Sequence, residues 1–186
     1  IVLDSKEVLQ NAGTRAQVAR ICGVTEQEMI MIDKSAARLT SNIDNGSSVE
    51  FLLDGGADLR RFVLAIPSTG YSRHNSPARP HTLGAVIKDV TRVEDSLYLL
   101  LSTRANAYAQ ACAIGRNFPI FNMKANAAQA KAATMDIVVH FDGMTAADDM
   151  SNIRVSVDNI RLAQRLVDMP PNMLHADSYV AECLEV

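Results

Sequence analysis

Tryptophan is absent from this 186-residue chain, and cysteine is scarce. The three cysteines, Cys22, Cys112 and Cys183, form no CxxC pair, which argues against a disulfide framework and indicates a reducing compartment. We expect each of them to be a small buried hydrophobic residue rather than a nucleophile. No apolar run approaches the roughly 18 residues of a membrane span. No signal peptide is visible at the start of the sequence, so we expect a cytoplasmic location.

Recognisable catalytic motifs are missing as well. HExxH, GxSxG, GxxxxGK[ST] and GxGxxG do not occur. Gly55 and Gly56 follow a strand-like run but lead into residues 57–60 (ADLR), which favours a plain turn over a phosphate-binding loop. No cysteine or acidic pair completes a zinc set around the histidines, which are His74, His81, His140 and His175. We therefore assign no catalytic, cofactor-binding or metal-binding residue.

The charged residues of the chain indicate no partner or metal site strongly. Net charge is -3, which does not favour nucleic acid or an anionic membrane. Residues 71–77 (YSRHNSP) are polar, and we interpret them as a solvated or interface loop. The alternative is a modest basic patch for phosphate or an acidic partner, formed by this loop with Arg79, His81, Lys88 and Arg92. Two acidic pairs, 94–95 and 148–149, are poor metal sites, and the second favours the start of the helix that follows.

Helix and strand patterns are better defined. Capping-box spacing at Thr14 and Gln17, and at Thr25 and Glu28, predicts two early helices. Gly23 fits the end of the first helix. Later helices are predicted at 80–93, 104–118 and 151–169, the first beginning with a proline in its first turn. Strands are predicted at 49–53, 61–66, 96–101 and 135–141, with shorter candidates at 1–3 (a short edge strand or the tail of one) and 120–121.

This alternation predicts an α/β fold. We expect three layers, with a mixed, mostly parallel sheet flanked by helices. The runs at 49–53 and 61–66 should form a hairpin that is buried on most of its surface. The apolar stripe of the last long helix should comprise five residues, namely Ile153, Val157, Ile160, Ala163 and Val167.

The tail, residues 161–186, combines a helix, the Pro170–Pro171 break and a second helix start. Such an ending predicts a domain separated from a larger neighbour. We expect a non-catalytic domain over 1–150, an interdomain linker helix over 151–171, and the start of a truncated catalytic domain over 172–186. If that domain is absent, residues after Pro171 should be poorly packed or docked on another chain, and Leu174, Tyr179 and Leu184 should be exposed within a monomer.

Three stretches of the chain carry a resemblance to a known family. Residues 161–174 (RLAQRLVDMPPNML) resemble the connecting segment of the leucine aminopeptidase family of dinuclear metalloaminopeptidases, with Asp168 where many members have Asn. Residues 72–77 (SRHNSP) and 109–121 (AQACAIGRNFPIF) are similar to the aminopeptidase-like branch of that family. The resemblance spans about residues 60–184.

The resemblance implies a non-catalytic N-terminal α/β domain of macro-like shape, joined to a C-terminal metallopeptidase domain. The parent would remove N-terminal amino acids from peptides with two divalent ions, zinc or manganese, as a cytoplasmic hexamer. The implied partners are the catalytic domain and further copies of the chain. We expect this segment alone to be inactive. The alternative is a macro-like module that binds a nucleotide or ADP-ribose.

Overall fold

A computed structural model describes residues 2–3, 11–54, 56, 59–70, 73–74, 76–91, 96–121, 135–141 and 147–185. Its strands are β1 (Val2–Leu3), β2 (Ser47–Asp54), β3 (Leu59–Ile66), β4 (Ser96–Ser102) and β5 (Met135–Phe141). Its helices are α1 (Ala12–Cys22), α2 (Glu26–Arg38), α3 (Pro80–Val90), α4 (Arg104–Arg116), α5 (Ala147–Asp168) and α6 (Ala176–Glu185).

The strands form one sheet in the order β2-β3-β1-β4-β5. Only β2 is antiparallel to its neighbour, so the mixed, mostly parallel sheet is confirmed. The prediction that β1 is an edge strand is wrong, because Val2 pairs with Leu64 on one side and with Leu99 on the other. An apolar pair suits a strand with neighbours on both edges.

Helices cover both faces of this sheet, which confirms the three layers. Successive side chains of a strand point to opposite faces, and the buried residues of β3 and β4 divide accordingly. Leu64 and Leu99 join the core beneath α1 and α2. Ala65 and Tyr98 join the core beneath α3, α4 and α5.

Both early helices begin at a capping residue, but the predicted start of α1 is wrong. Thr25 and Glu28 form the predicted capping box of α2. However, α1 is capped by Asn11, whose side chain accepts hydrogen bonds from the amides of Gly13 and Thr14, so the helix begins before Thr14. Asparagine is one of the strongest capping residues. Gly23 ends α1 in the left-handed conformation that glycine adopts without strain.

Several predicted boundaries also need correction. The hairpin of β2 and β3 is confirmed, but β2 is only half-buried. Val49, Phe51 and Leu53 face the core beneath α1 and α2, whereas Ser48, Glu50, Leu52 and Asp54 are exposed on the opposite face. Residues 120–121 are not a strand, since Pro119 lacks an amide and no described strand pairs with them. Helix α5 begins at Ala147, so Asp149 lies in its first turn, where a carboxylate favours the helix dipole.

Candidate interdomain surface

The two prolines make the break that the sequence predicts. Helix α5 ends at Asp168, and the chain turns through Pro170 before α6 begins. The carbonyl of Pro170 accepts hydrogen bonds from the amides of Met173 and Leu174, each at 2.9 Å. This turn gives the corner between α5 and α6 a defined backbone path.

Ser178 closes the start of α6. Its hydroxyl oxygen accepts a hydrogen bond from the amide of His175 at 2.8 Å. The hydroxyl lies 2.9 Å from the carbonyl of Met173 and 3.0 Å from that of His175, either of which can accept its proton. The corner is therefore tied by local polar bonds that do not depend on the rest of the domain.

An ion pair joins the two helices above the corner. The guanidinium of Arg165 donates to both carboxylate oxygens of Glu182, with Nη2 at 2.6 Å from Oε1. The hydrogen bond from Arg165 holds the pKa of Glu182 below its usual value, and the bond to Glu182 raises the pKa of Arg165. Such two-point contacts between Arg and a carboxylate fix relative orientation as well as distance.

Helix α6 has its polar side against α5 and its apolar side outward. Ser178 and Glu182 lie four residues apart, hence on one face, and both are half-buried at the corner. No residue of α6 is fully buried. The outward face is formed by Tyr179 (48% exposed), Val180 (57%), Leu184 (84%) and the exposed Cys183. We call these four residues the outer face of α6.

This arrangement matches one expectation and contradicts another. Tyr179 and Leu184 are exposed, as predicted for the tail, while Leu174 is half-buried. The expectation that every cysteine is a buried hydrophobic residue is wrong for Cys183, because α6 turns its apolar side away from the domain. Cys22 and Cys112 are half-buried, and burial raises the pKa of both thiols.

The preceding helix, α5, is anchored to the domain along most of its length, and its last apolar residue is exposed. Ile153 is buried in the core. Arg161 donates to the carbonyl of Phe118 at 3.1 Å, and Gln164 to that of Arg116 at 2.9 Å. By contrast, Val167 is 82% exposed. The predicted apolar stripe therefore leaves the core before the end of the helix, and its last residue is exposed.

The alternative of an exposed basic patch is wrong for Arg79. Arg79 is only 6% exposed, and its guanidinium donates to the hydroxyl of Ser68 (2.6 Å from Nη2) and to the carbonyl of Ile43 (3.0 Å). His81 and Lys88 lie exposed on α3. Arg92 lies outside the described residues.

The network around Arg79 was missed at the level of sequence. Ser68 donates to Thr82 at 3.0 Å, and the hydroxyl of Thr82 donates to the Arg79 carbonyl at 3.1 Å. Both hydroxyl residues are buried. The network ties the loop after β3 to the start of α3. The only local hint is Pro80, which places Arg79 just before the helix.

A second polar feature is a cleft of about 440 Å³ between the N-terminal halves of α4 and α5. Arg104 pairs with Asp149 at 2.8 Å, and the hydroxyl of Tyr108 donates to that of Ser156 at 2.8 Å. The ion pair and the hydrogen bond both link α4 to α5.

A metal site is not apparent in the described parts of the chain. Among those residues, no group of three His, Cys, Asp or Glu side chains could hold an ion. His74 is exposed beside Arg73, whose Nε lies 3.1 Å from its Nε2. The side chain of His140 and the whole of Gly55 lie outside what the structure describes. In the same described ranges, no helix is long and apolar enough to cross a membrane.

Comparisons with known proteins show which proteins this chain resembles. Probable aminopeptidase NPEPL1 is 28% identical over 131 residues in Mus musculus and 27% over 130 residues in Homo sapiens. Each match covers 67% of this chain and 25% of the relative. Leucine aminopeptidase 1 of Caenorhabditis elegans is 27% identical over 127 residues, with the same coverage. The chain thus spans about a quarter of the length of these relatives.

Solved structures show the same fold over nearly the whole chain. Leucine aminopeptidase (LAP1) of Caenorhabditis elegans superimposes with a TM-score of 0.72 and 22% identity, over 99% of this chain and 36% of that one. Leucyl aminopeptidase of Leishmania major gives 0.73 and 18%, over 97% and 35%. The family model of the M17 aminopeptidase N-terminal domain 2 matches residues 12–127. This chain therefore belongs to the M17 aminopeptidase family, as its N-terminal domain.

Proposed function

We propose that this N-terminal domain is the assembly domain of a leucine aminopeptidase-type metallopeptidase, and that it is inactive alone. The observation that carries this proposal is the outward orientation of the apolar side of α6. Burying a large apolar side chain stabilises a protein by about 1.5–3 kcal/mol, so an amphipathic helix whose apolar side faces water favours a further partner. The matches above give no support to the macro-like nucleotide-binding alternative.

The partner that we propose is the catalytic part of the same protein. Residues 1–150 are the non-catalytic domain, 151–171 the linker helix and 172–186 the first residues of the catalytic domain. The first half of α5 packs on α4, so the proposed linker packs against the N-terminal domain. The outer face of α6 and Val167 would then be covered by the rest of the catalytic domain.

We place the hydrolysis of the peptide bond in that catalytic part. Two divalent metal ions, zinc or manganese, would polarise the peptide carbonyl and activate a water there, releasing N-terminal amino acids. We place no metal ligand in this chain. The complete enzyme would be a cytoplasmic hexamer, in which this domain contributes to assembly.

Hydrolysis of a leucine amide tests the inactivity of the domain. The purified 186-residue chain should release no leucine with added manganese or zinc, while the complete aminopeptidase under the same conditions should be active. Robust turnover by the chain would contradict the proposal, because it would require a catalytic site within these residues.

A pair of matched substitutions tests the docking surface. Val180→Asp places a charge on the outer face of α6, and Ile30→Asp places one on α2, where Ile30 is 47% exposed. Neither should alter the melting temperature of the chain. In the complete enzyme, only Val180→Asp should lower thermal stability and activity, because a buried unpaired charge is costly. Equal effects of the two substitutions would argue against docking through α6.

A further inference from the structure

We propose that Arg165 and Glu182 are positioning residues, and that their ion pair holds the outer face of α6 away from the N-terminal domain before the rest of the catalytic domain docks on it. The docking step rests on the proposed function, whereas the orientation of α6 is a property of this chain. The ion pair is thus assigned a role distinct from general stability.

The first argument is that apolar packing does not hold α6 in place. No α6 residue is buried, and three large apolar residues on this helix are about half exposed or more. Helices in globular domains are usually fixed by burying an apolar stripe against a neighbour. Here that stripe faces outward, so another interaction must select the orientation.

The second argument is the position of the ion pair. The corner bonds at Pro170 and Ser178 act on the start of α6 and make no contact with its later turns. Glu182 lies one turn beyond Ser178, on the same side of the helix. A two-point contact one turn along the helix fixes both the tilt and the rotation of α6.

The third argument concerns the cost of docking. A helix that already presents its apolar side in one orientation loses less freedom on binding than a swinging one. The fitting partner is an apolar groove that accepts Tyr179, Val180 and Leu184 from one side of a helix. Breaking the ion pair should weaken docking without removing any residue from the apolar surface.

Residual dipolar couplings of the backbone amides test the orientation in this chain. In the unsubstituted chain, the α6 couplings should fit a single orientation relative to α5. Glu182→Ala and Arg165→Ala should each shrink the α6 couplings toward zero while α6 keeps its helical chemical shifts. Because the residues act as a pair, the double variant should be no worse than either single one.

Helix α5, which carries Arg165, also offers a control. Arg154 and Asp158 form an exposed ion pair at 3.9 Å within α5, and Asp158→Ala should leave the α6 couplings unchanged. Unchanged α6 couplings in Glu182→Ala, or additive losses in the double variant, would overturn the proposal.

Thiol labelling in the complete aminopeptidase separates this inference from the proposed function. If docking occurs, Cys183 should be protected there, and Glu182→Ala should speed its labelling while Asp158→Ala does not. Equal labelling of Cys183 in the chain and the complete protein would refute docking and leave the result on α6 orientation standing. Protection that Glu182→Ala leaves unchanged would refute the positioning role alone.

Discussion

The contact between α4 and α5 at Gly115 makes a quantitative prediction. A Cβ atom added at Gly115 would lie 2.5 Å from Cγ1 of Val157. Ordinary contact begins at 3.4 Å, so Gly115→Ala must push the two helices apart by almost 1 Å or move Val157. Valine is stiff about χ1 and cannot readily rotate away. The substitution therefore tests whether α5 is packed on the domain.

The expected magnitude follows from two opposing effects. Overpacking costs about 1–3 kcal/mol, whereas replacing glycine by alanine inside a helix gains up to about 1 kcal/mol. Gly115→Ala alone should therefore lower the free energy of unfolding by roughly 1 kcal/mol. In a Val157→Ala background the clash disappears, and the same substitution should raise the free energy of unfolding by up to about 1 kcal/mol.

Urea unfolding followed by circular dichroism measures all four variants of this cycle. Gly84→Ala is the matched control, since its added Cβ would meet only the end of the Asn117 side chain, at 3.2 Å. That control should be neutral or stabilising in both backgrounds. The same effect of Gly115→Ala with and without Val157 would refute the close approach of α4 and α5.

Two further predictions concern helix ends and pH. Thr25→Ala removes the cap of α2 and should cost about 0.5–2 kcal/mol in urea unfolding, whereas Thr25→Ser should cost little; equal losses would refute the cap. The hydrogen bond from Arg165 holds the pKa of Glu182 below its usual value, so the contribution of the pair is fully present above the ordinary pKa of a glutamate and is lost as pH falls through the lowered pKa. The neighbouring charge is Glu185, which also raises the pKa of Arg165. The dipolar couplings of α6 should therefore shrink before those of α5 on acidification, and simultaneous loss would contradict a local ion pair.

Local patterns predicted the elements whose signals lie within a few residues. The capping box of α2, the glycine end of α1 and the Pro170–Pro171 break each depend on neighbours in sequence, so they could be read from the chain. The strands at β3 and β4 were found because continuous apolar runs suit a sheet that is covered on both faces.

Features that depend on distant partners could not be predicted in the same way. The central place of β1 arises from pairing with Leu64 and Leu99, which two apolar residues cannot specify. Arg79 resembles a surface cation in sequence, but the loop after β3 folds over it and supplies Ser68. Arg165 and Glu182 are 17 residues apart, across a corner whose angle the sequence does not give.

The most direct test of the account is the labelling rate of Cys183 by a small thiol reagent. Cys183 is exposed in this chain, while Cys22 and Cys112 are half-buried and provide slow internal references. In the native chain, Cys183 should react first. In the complete aminopeptidase we expect it to be protected, because we propose that the rest of the catalytic domain covers the outer face of α6 there. Equal rates for Cys183 in the two proteins would contradict the central claim.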